Sequence, residues 1–239
     1  MNVLELRQVA KTYGSGATTV EALRDVSLGV AAGELVAVMG PSGSGKSTLL
    51  TIAGTLEAPT SGQVLVQGED VAGLSADDRA RLRRRAIGYV FQSFNLMAGL
   101  TALENVSLPL ELDGTRARPA QRAAMAALES LGLADRAGHH PDQLSGGETQ
   151  RVAIARAVVG QRRLVLADEP TGSLDSVNGE AVMRMLRTAC LGGVAGVVVT
   201  HDAQLAAWAD RVVFVRDGRL VAQSTPDHVD DLLAPSREP

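Results

Sequence analysis

Alternating hydrophobic and polar residues dominate the first part of the chain. The segments VLELRQVA (3–10) and ALRDVSLGV (22–30) alternate in this way, which predicts half-buried antiparallel strands. QVLVQGEDV (63–71) predicts another such strand, with Gly68 and Glu69 at a turn. IGYVF (87–91) predicts a strand that ends at Gln92.

Nearly continuous apolar runs form a second pattern, typical of parallel strands buried on both faces. They are ELVAVMG (34–40), RRLVLADEP (162–170) and GVVVTHD (196–202). Segments with helical periodicity follow each of them: KSTLLTIAGTL (46–56), EAVMRMLRTAC (180–190) and AQLAAWA (203–209). RVVFVRDGRLVAQ (211–223) predicts a final hairpin. The chain is therefore expected to form an α/β fold with a largely parallel sheet.

Between residues 93 and 160 the pattern changes to helical periods interrupted by Gly and Pro. RPAQRAAMAALESLGL (118–133) and LSGGETQRVAIARAVVG (144–160) predict amphipathic helices. We therefore expect a core formed by residues 1–92 and 161–239, with a helical subdomain inserted at 93–160. No internal repeat or long linker is evident, and the terminal PSREP is expected to fray.

Composition narrows the possible partners and compartment. The 239 residues carry a formal net charge of −4, which disfavours nucleic acid as a partner. RARLRRR (Arg79 to Arg85) is the exception; a solvated helix face with Leu82 turned inward is favoured over a nucleic-acid patch. A single cysteine, Cys190, fits a reducing compartment. No signal peptide or long apolar run occurs, so a cytoplasmic protein is expected.

GPSGSGKST (Gly40 to Thr48) lies between a predicted strand and a predicted helix, the setting of a phosphate-binding P-loop. Its glycines allow successive backbone N–H groups to surround phosphates. Lys46 would reach the β- and γ-phosphates, and Ser47 would supply a hydroxyl to Mg²⁺. A purely structural glycine turn is the alternative.

LVLADEP (Leu164 to Pro170) delivers two carboxylates at a strand end, where α/β sheets bind ligands. Asp168 would hold the Mg²⁺ shell, and Glu169 would orient or deprotonate the attacking water. Alone, such a pair is more often a helix cap or turn. With the P-loop it predicts a P-loop NTPase, whether kinase, GTPase or transport ATPase; no N-K-x-D base-reading motif occurs.

LSGGETQ (144–150) predicts a second anion-binding helix N-terminus, which one phosphate site does not require. Taken with Gln92, the P-loop, LADEP and His201, it resembles the ATP-binding cassette (ABC) ATPases over essentially the whole chain. The resemblance implies a P-loop cassette with a mixed or parallel core sheet, an N-terminal antiparallel β subdomain and a helical insert. It also implies an ATPase whose two copies pack head to tail around two ATP.

The resemblance also assigns site residues. Tyr13 would stack on adenine, Gln92 would bind Mg²⁺ or water, and His201 would contact the γ-phosphate. Catalysis would rest on Glu169, His201, Gln92 and Lys46, and Mg²⁺ would be held by Ser47, Gln92 and Asp168. ATP would be bound by Tyr13, Gly40, Pro41, Ser42, Gly43, Ser44, Gly45, Lys46, Ser47, Thr48, Ser145, Gly146, Gly147 and Asp175. Thr149 departs from the Gln of many relatives, and altered helix packing or allosteric tuning is expected there.

FQSFNLMAGLTALENVSLPLEL (91–112) is similar to the lipoprotein-release, macrolide-export and cell-division cassettes of the LolD, MacB and FtsE type. This implies a separate permease partner of few membrane helices with an extracytoplasmic domain, and a location at the inner face of the membrane. Phe94, Leu96, Met97 and Leu100 would either receive a permease helix or belong to the subdomain's own core. A regulatory, DNA-repair or translation cassette is the alternative function. Cargo and direction of transport are left open.

Overall fold

A computed structural model describes residues 1–172, 174 and 176–224, and two sheets organise them. The first sheet is antiparallel, with strand order β2-β1-β4-β5. Its strands are β1 (Asn2–Tyr13), β2 (Val20–Ala31), β4 (Ser61–Val66) and the short β5 (Glu69–Asp70). The alternation in the sequence correctly predicts this sheet, because one face packs on the core while the other faces solvent.

The second sheet has six strands in the order β10-β9-β3-β8-β7-β6. They are β3 (Leu35–Met39), β6 (Ile87–Val90), β7 (Leu164–Asp168), β8 (Ala195–Val199), β9 (Arg211–Arg216) and β10 (Arg219–Ser224). Neighbouring strands are parallel except for the β9–β10 hairpin. The predicted α/β fold with a largely parallel sheet is confirmed.

Strand β3 shows why the strands of the central sheet have continuously apolar sequences. All five of its residues are buried. Val36 and Val38 enter a core between the two sheets, whereas Leu35, Ala37 and Met39 enter a core on the opposite face. A strand covered on both faces needs apolar side chains at every position, so alternation disappears.

Seven α-helices complete the described fold. Helices α1 (Lys46–Ala53), α6 (Ser176–Leu191) and α7 (Ala203–Ala206) follow strands of the parallel sheet, and α2 (Ala76–Ala86) precedes β6. Helices α3 (Ala102–Leu112), α4 (Ala117–Ser130) and α5 (Gly146–Val158) fall in the predicted helical insert. They share a core of their own, which includes Val106, Leu128 and Val152.

Several element boundaries differ from the sequence expectation, for example that of α7, which ends at Ala206 and not at Ala209. Helix α1 stops at Ala53, before the predicted GTL, since Thr55 has a left-handed φ of 56°. Strand β6 ends at Val90 and does not reach Gln92. The turn after β4 consists of Gln67 and Gly68, both with positive φ, and Glu69 already pairs with Val66. The terminal PSREP lies outside the described residues.

Side-chain placement confirms only part of the expectation about the basic run. Leu82 of α2 packs against the core between the sheets, as predicted, but Arg83 and Arg84 are half-buried, so the arginine face is not fully solvated. Of the four apolar residues after Gln92, Leu96 packs against the helical core, whereas Met97 is 52% exposed. Within the described part of the chain, no helix combines the length and apolarity needed to cross a membrane.

Candidate active site

The loop between β3 and α1 wraps tightly because its glycines occupy positions closed to other residues. Gly40 has a φ of 149°, and a Cβ placed there would lie 2.1 Å from the Val215 carbonyl oxygen. Gly45, which caps α1, has a φ of 105°, and its Cβ would lie 2.3 Å from the Ala22 carbonyl oxygen. Both glycines are therefore required by the packing of the loop against β2 and β9.

A cavity of about 570 Å³ opens over this loop, at the carboxyl ends of the parallel strands. It brings together the predicted phosphate-loop, Asp-Glu, Gln92 and His201 positions. The lining residues include Gly40, Ser42, Gly43, Gly45, Lys46, Ser47, Thr48, Gln92, Asp168, Glu169 and His201. Sequence reasoning missed other lining residues, which come from β2 and from the β9–β10 turn: Val20, Glu21, Ala22, Arg24, Asp217 and Gly218.

Lys46 is held against its own loop. Its Nζ donates to the carbonyl oxygens of Gly40 and Pro41, each at 2.8 Å. Burial lowers the pKa of Lys46, and the carboxylates of Glu169 and Asp168 act in the opposite direction. The ammonium group is therefore positioned at the cavity floor between the loop and the two acidic residues.

Asp168 and Ser47 provide the oxygen ligands that Mg²⁺ prefers. Burial raises the pKa of Asp168, and a hydrogen bond from Ser47 opposes that shift. Gln92 lines the same cavity. Among the described residues, no group of three or more His, Cys, Asp or Glu could hold a metal ion. The oxygen donors of Asp168 and Ser47 fit a Mg²⁺ that would take few protein ligands and complete its shell with phosphate oxygens and water.

Glu169 and His201 form a pair that the sequence did not reveal. Nδ1 of His201 lies 2.9 Å from Oε2 of Glu169, and the histidine side chain is 72% exposed whereas that of Glu169 is 16% exposed. An ionised carboxylate only accepts hydrogen bonds, so the ring donates from Nδ1. Glu169 itself has a left-handed φ of 45°, with its N–H donating to the Val199 carbonyl. The strained backbone turns this carboxylate toward the cavity and the histidine.

Tyr13 does not line the cavity. Its hydroxyl donates to Oε2 of Glu57 at 2.5 Å, and Nζ of Lys11 lies 4.9 Å from its ring centroid. Burial and the Glu57 carboxylate raise the pKa of the phenol, and a hydrogen bond with Thr48 opposes them. Tyr13 therefore lies beside the end of the phosphate loop, held by two residues that sequence reasoning missed. Its stacking on adenine stays a prediction.

The LSGGE segment begins helix α5 and is absent from the cavity. Ser145 caps the helix, with its hydroxyl accepting from the Glu148 N–H while the Glu148 carboxylate accepts from the Ser145 N–H. Arg136 donates to the same carboxylate at 2.9 Å. These bonds lower the pKa of Glu148 to about 2, with the backbone bond from Ser145 the largest cause. Ser145 and Gly146 are exposed, so the helix N-terminus faces away from its own core.

Thr149 has a local structural role. Its hydroxyl donates to the Ser145 carbonyl at 2.8 Å, and the residue is only 8% exposed. This bond lies within the first turn of α5, and the expected effect on helix packing or allosteric tuning stays a prediction. Asp175, and with it the predicted SLD loop (173–175), lies outside the described residues apart from Leu174.

Family comparison agrees with this geometry. A family model described as ABC transporter matches residues 23–172, which span the phosphate loop, Gln92, LSGGE and the Asp-Glu pair. The chain belongs to the ABC transporter family. It is an ATPase cassette of the P-loop fold, as the resemblance of its motifs implied.

Curated relatives of the cassette cover nearly all of this chain. The macrolide export ATP-binding/permease protein MacB of Brucella melitensis is 48% identical over 93% of the chain. An uncharacterized ABC transporter ATP-binding protein of Thermotoga maritima is 50% identical over 91% of the chain and 93% of its own length. The chain spans only 34% of the length of the MacB protein. The chain is therefore similar to the ATP-binding part of a protein named for macrolide export.

Solved structures show the same fold. MJ0796, a bacterial ABC transporter cassette solved as a dimer, superposes with a TM-score of 0.87 at 42% identity, covering 93% of this chain and 98% of that one. The same cassette is known in a dimeric post-hydrolysis state bound to ADP and Pi. CbiO1 of Clostridium perfringens gives a TM-score of 0.84 at 26% identity, covering 96% of this chain and 91% of that chain.

Proposed function

We propose that two copies of this cassette close head to tail around two ATP molecules and that their hydrolysis powers a membrane permease. One observation carries the proposal. The cavity gathers the phosphate loop, Gln92, Asp168, Glu169 and His201, yet the exposed LSGGE helix N-terminus does not line it. A second copy can supply the missing N–H groups, and the dimeric MJ0796 cassette supports that arrangement.

The cavity residues divide the chemistry among them. Lys46 and the loop N–H groups hold the phosphates, and Tyr13 offers an aromatic face to adenine. Ser47, Asp168 and Gln92 would hold a Mg²⁺, which would supply positive charge to neutralise the phosphates. Glu169 accepts a proton from water as the water oxygen bonds to the γ-phosphorus and the bond to ADP breaks. His201 orients the Glu169 carboxylate by donating from Nδ1, and in the protonated ring Nε2 also donates, to the γ-phosphate.

An apolar groove supports the permease as the partner. Leu56 and Leu112 are 46% and 61% exposed, and with Tyr89, Phe91 and Leu108 they line a depression of about 370 Å³ beside Arg156. Large exposed apolar residues in one groove typically mark an interaction site. The occupant we propose is a cytoplasmic helix of the permease, because MacB joins ATP-binding and permease functions in its name.

The export-type relatives favour the finer features of that partner. We propose a permease of few membrane helices with an extracytoplasmic domain, and a cassette located at the inner face of the membrane through it. We also propose that residues 93–160 move as a helical subdomain relative to the core of 1–92 and 161–239. The separate core of α3, α4 and α5 supports this division.

Replacing Glu169 tests the proposed dimer. Glu169→Gln removes the proton acceptor but keeps the shape of the side chain, so we expect turnover to fall by at least about a hundredfold while ATP still bridges two copies. Size-exclusion chromatography with ATP and Mg²⁺ should then show a dimer that ADP does not support.

The matched control adds Ser145→Arg to Glu169→Gln. The added side chain fills the N-terminus of α5, the helix that begins with LSGGE and is called the signature helix below. It does not touch the phosphate loop, so this protein should bind ATP yet stay monomeric. A Glu169→Gln protein that hydrolyses ATP normally and never dimerises would contradict the proposal.

A further inference from the structure

A second large cavity lies at the opposite ends of the parallel strands from the ATP site. It encloses about 630 Å³ beside the starts of β6 and β7, and it shares no lining residue with the ATP cavity. Four arginines line it, Arg84, Arg85, Arg162 and Arg163, against the single carboxylate of Asp113. The basic run of α2, unexplained by ATP hydrolysis, thus contributes two arginines to one side of a concave site.

Positive charge in this cavity is incompletely neutralised. Nε of Arg85 lies 2.8 Å from Oδ1 of Asp113. Within the described part of the chain, Arg84, Arg162 and Arg163 make no ion pair. Asp113 acts on Arg162 only from beyond ion-pair distance, so three guanidinium groups have no carboxylate within that distance. Guanidinium groups remain charged at all ordinary pH values.

Arg162 shows that the site is built into the fold and is not a loose surface patch. The residue is only 7% exposed, and one of its Nη atoms donates to the Arg84 carbonyl. The Nε atoms of Arg84 and Arg162 are both buried with no hydrogen-bond partner in the described structure. Burial lowers the pKa of the Arg162 guanidinium. These two Nε atoms are closed to the cavity, so an anion would bind the remaining N–H groups of the arginines that line it. A buried guanidinium without a nearby carboxylate is costly, and such an anion would reduce that cost.

We propose that this cavity binds a small molecule bearing a phosphoryl group with two or more negative charges. The planar donor forks of arginine match phosphate oxygens in pairs, and three unpaired guanidinium groups match a diphosphate better than a single carboxylate. Pro109, Leu110 and Val159 form an apolar wall against which an organic body can pack. The volume is that of an ordinary small-molecule site. This binding is separate from ATP hydrolysis, although Arg84 and Arg162 also line the apolar groove proposed for the permease helix.

Calorimetric titration with inorganic pyrophosphate tests the site. The titrated protein carries Lys46→Ala, which weakens phosphate binding at the ATP site. Adding Arg84→Ala and Arg163→Ala should raise the dissociation constant at least about tenfold, since hydrogen bonds to charged groups are lost. The matched control adds Arg7→Ala and Arg81→Ala instead, which removes the same charge from two exposed ion pairs and should leave binding unchanged.

A second measurement distinguishes a free phosphate compound from a lipid headgroup. The same proteins are floated with phosphatidylcholine vesicles that contain phosphatidylglycerol. Pyrophosphate binding that depends on Arg84 and Arg163 supports a soluble ligand, and vesicle recovery that depends on them supports a lipid headgroup. Binding of neither probe, or binding that falls equally in the two double variants, overturns the proposal.

Discussion

Glu169 shows how the site constrains a single residue. Its φ of 45° is unfavourable for a side chain with a Cβ, yet glycine would provide no carboxylate at the carboxyl end of β7. The N–H bond to Val199 and the Nδ1 contact from His201 hold the residue in place. The strained backbone therefore lowers local stability while it positions the carboxylate that we propose as the proton acceptor.

Comparing Glu169→Gly with Glu169→Ala measures this strain. Both changes remove the carboxylate and its contact with His201, but only glycine relieves the left-handed backbone. We expect the glycine protein to be more stable by about 1 kcal/mol, which is about 2–4 °C in the thermal midpoint for a chain of this size. Calorimetry without nucleotide measures the difference, and both proteins should be inactive. Equal midpoints would show that the backbone at this position is unstrained.

At the scale of elements, short-range patterns predict what lies along one strand or helix. Alternation predicted β1 and β2, continuous apolar runs predicted β3, β7 and β8, and motif residues such as Lys46 and Asp168 were assigned to one site. The Glu57–Tyr13 and Glu169–His201 contacts could not be predicted in this way. Each joins residues from different elements, and side-chain direction there depends on strand order and backbone angles that no local pattern contains.

Two helices in the insert begin with a capping box, but only one of the two boxes has an arginine beside its glutamate. Thr101 and Glu104 form a capping box at α3, and Ser145 and Glu148 form one at α5. Only the second glutamate also receives a hydrogen bond from an arginine, Arg136. The start of α5, which presents the signature N–H groups, is therefore the more firmly held of the two.

Glu148→Gln and Glu104→Gln form a matched pair that tests this difference. Glutamine can keep the capping bond, so Glu148→Gln should cost about 0.5–1 kcal/mol at pH 6 through lost charge, and Glu104→Gln less. The pKa of Glu148 is lowered from 4.5 to about 2, so its stabilisation is present above pH 4.5 and is lost as the pH falls toward 2. Urea unfolding at several pH values should show the Glu148→Gln deficit narrowing over that range. An equal loss in the free energy of unfolding for the two variants would show that Arg136 does not strengthen the capping box of α5.

At the scale of the whole molecule, the proposed catalytic unit is larger than the chain. The phosphate loop and the signature helix N-terminus belong to different surfaces, since neither Ser145 nor Gly146 lines the cavity that holds Lys46. Two copies related by a two-fold axis can complete both sites at once, because a two-fold interface presents the same surfaces from each side. A substitution in the phosphate loop of one copy should then disable only the site that contains that loop. The site formed by the other copy's phosphate loop should stay intact.

Mixing two inactive proteins tests this arrangement. Lys46→Ala disables the phosphate loop and Ser145→Arg blocks the signature helix, so each protein alone should show almost no ATPase activity. In a mixed dimer, the intact Lys46 of one copy faces the intact Ser145 of the other. Each mixed dimer has one complete site of two and should show about half of the parent activity, so the mixture should exceed the sum of the separate proteins.

The control for mixing replaces the Ser145→Arg protein with one that carries both Lys46→Ala and Ser145→Arg. Every mixed dimer then lacks a working phosphate loop, so activity should stay at the level of the separate proteins. Restoration in this control would mean that Lys46 is dispensable, because no intact loop is present. Restoration only in the first mixture requires that one copy's phosphate loop work with its partner's signature helix, since neither protein contains both motifs intact.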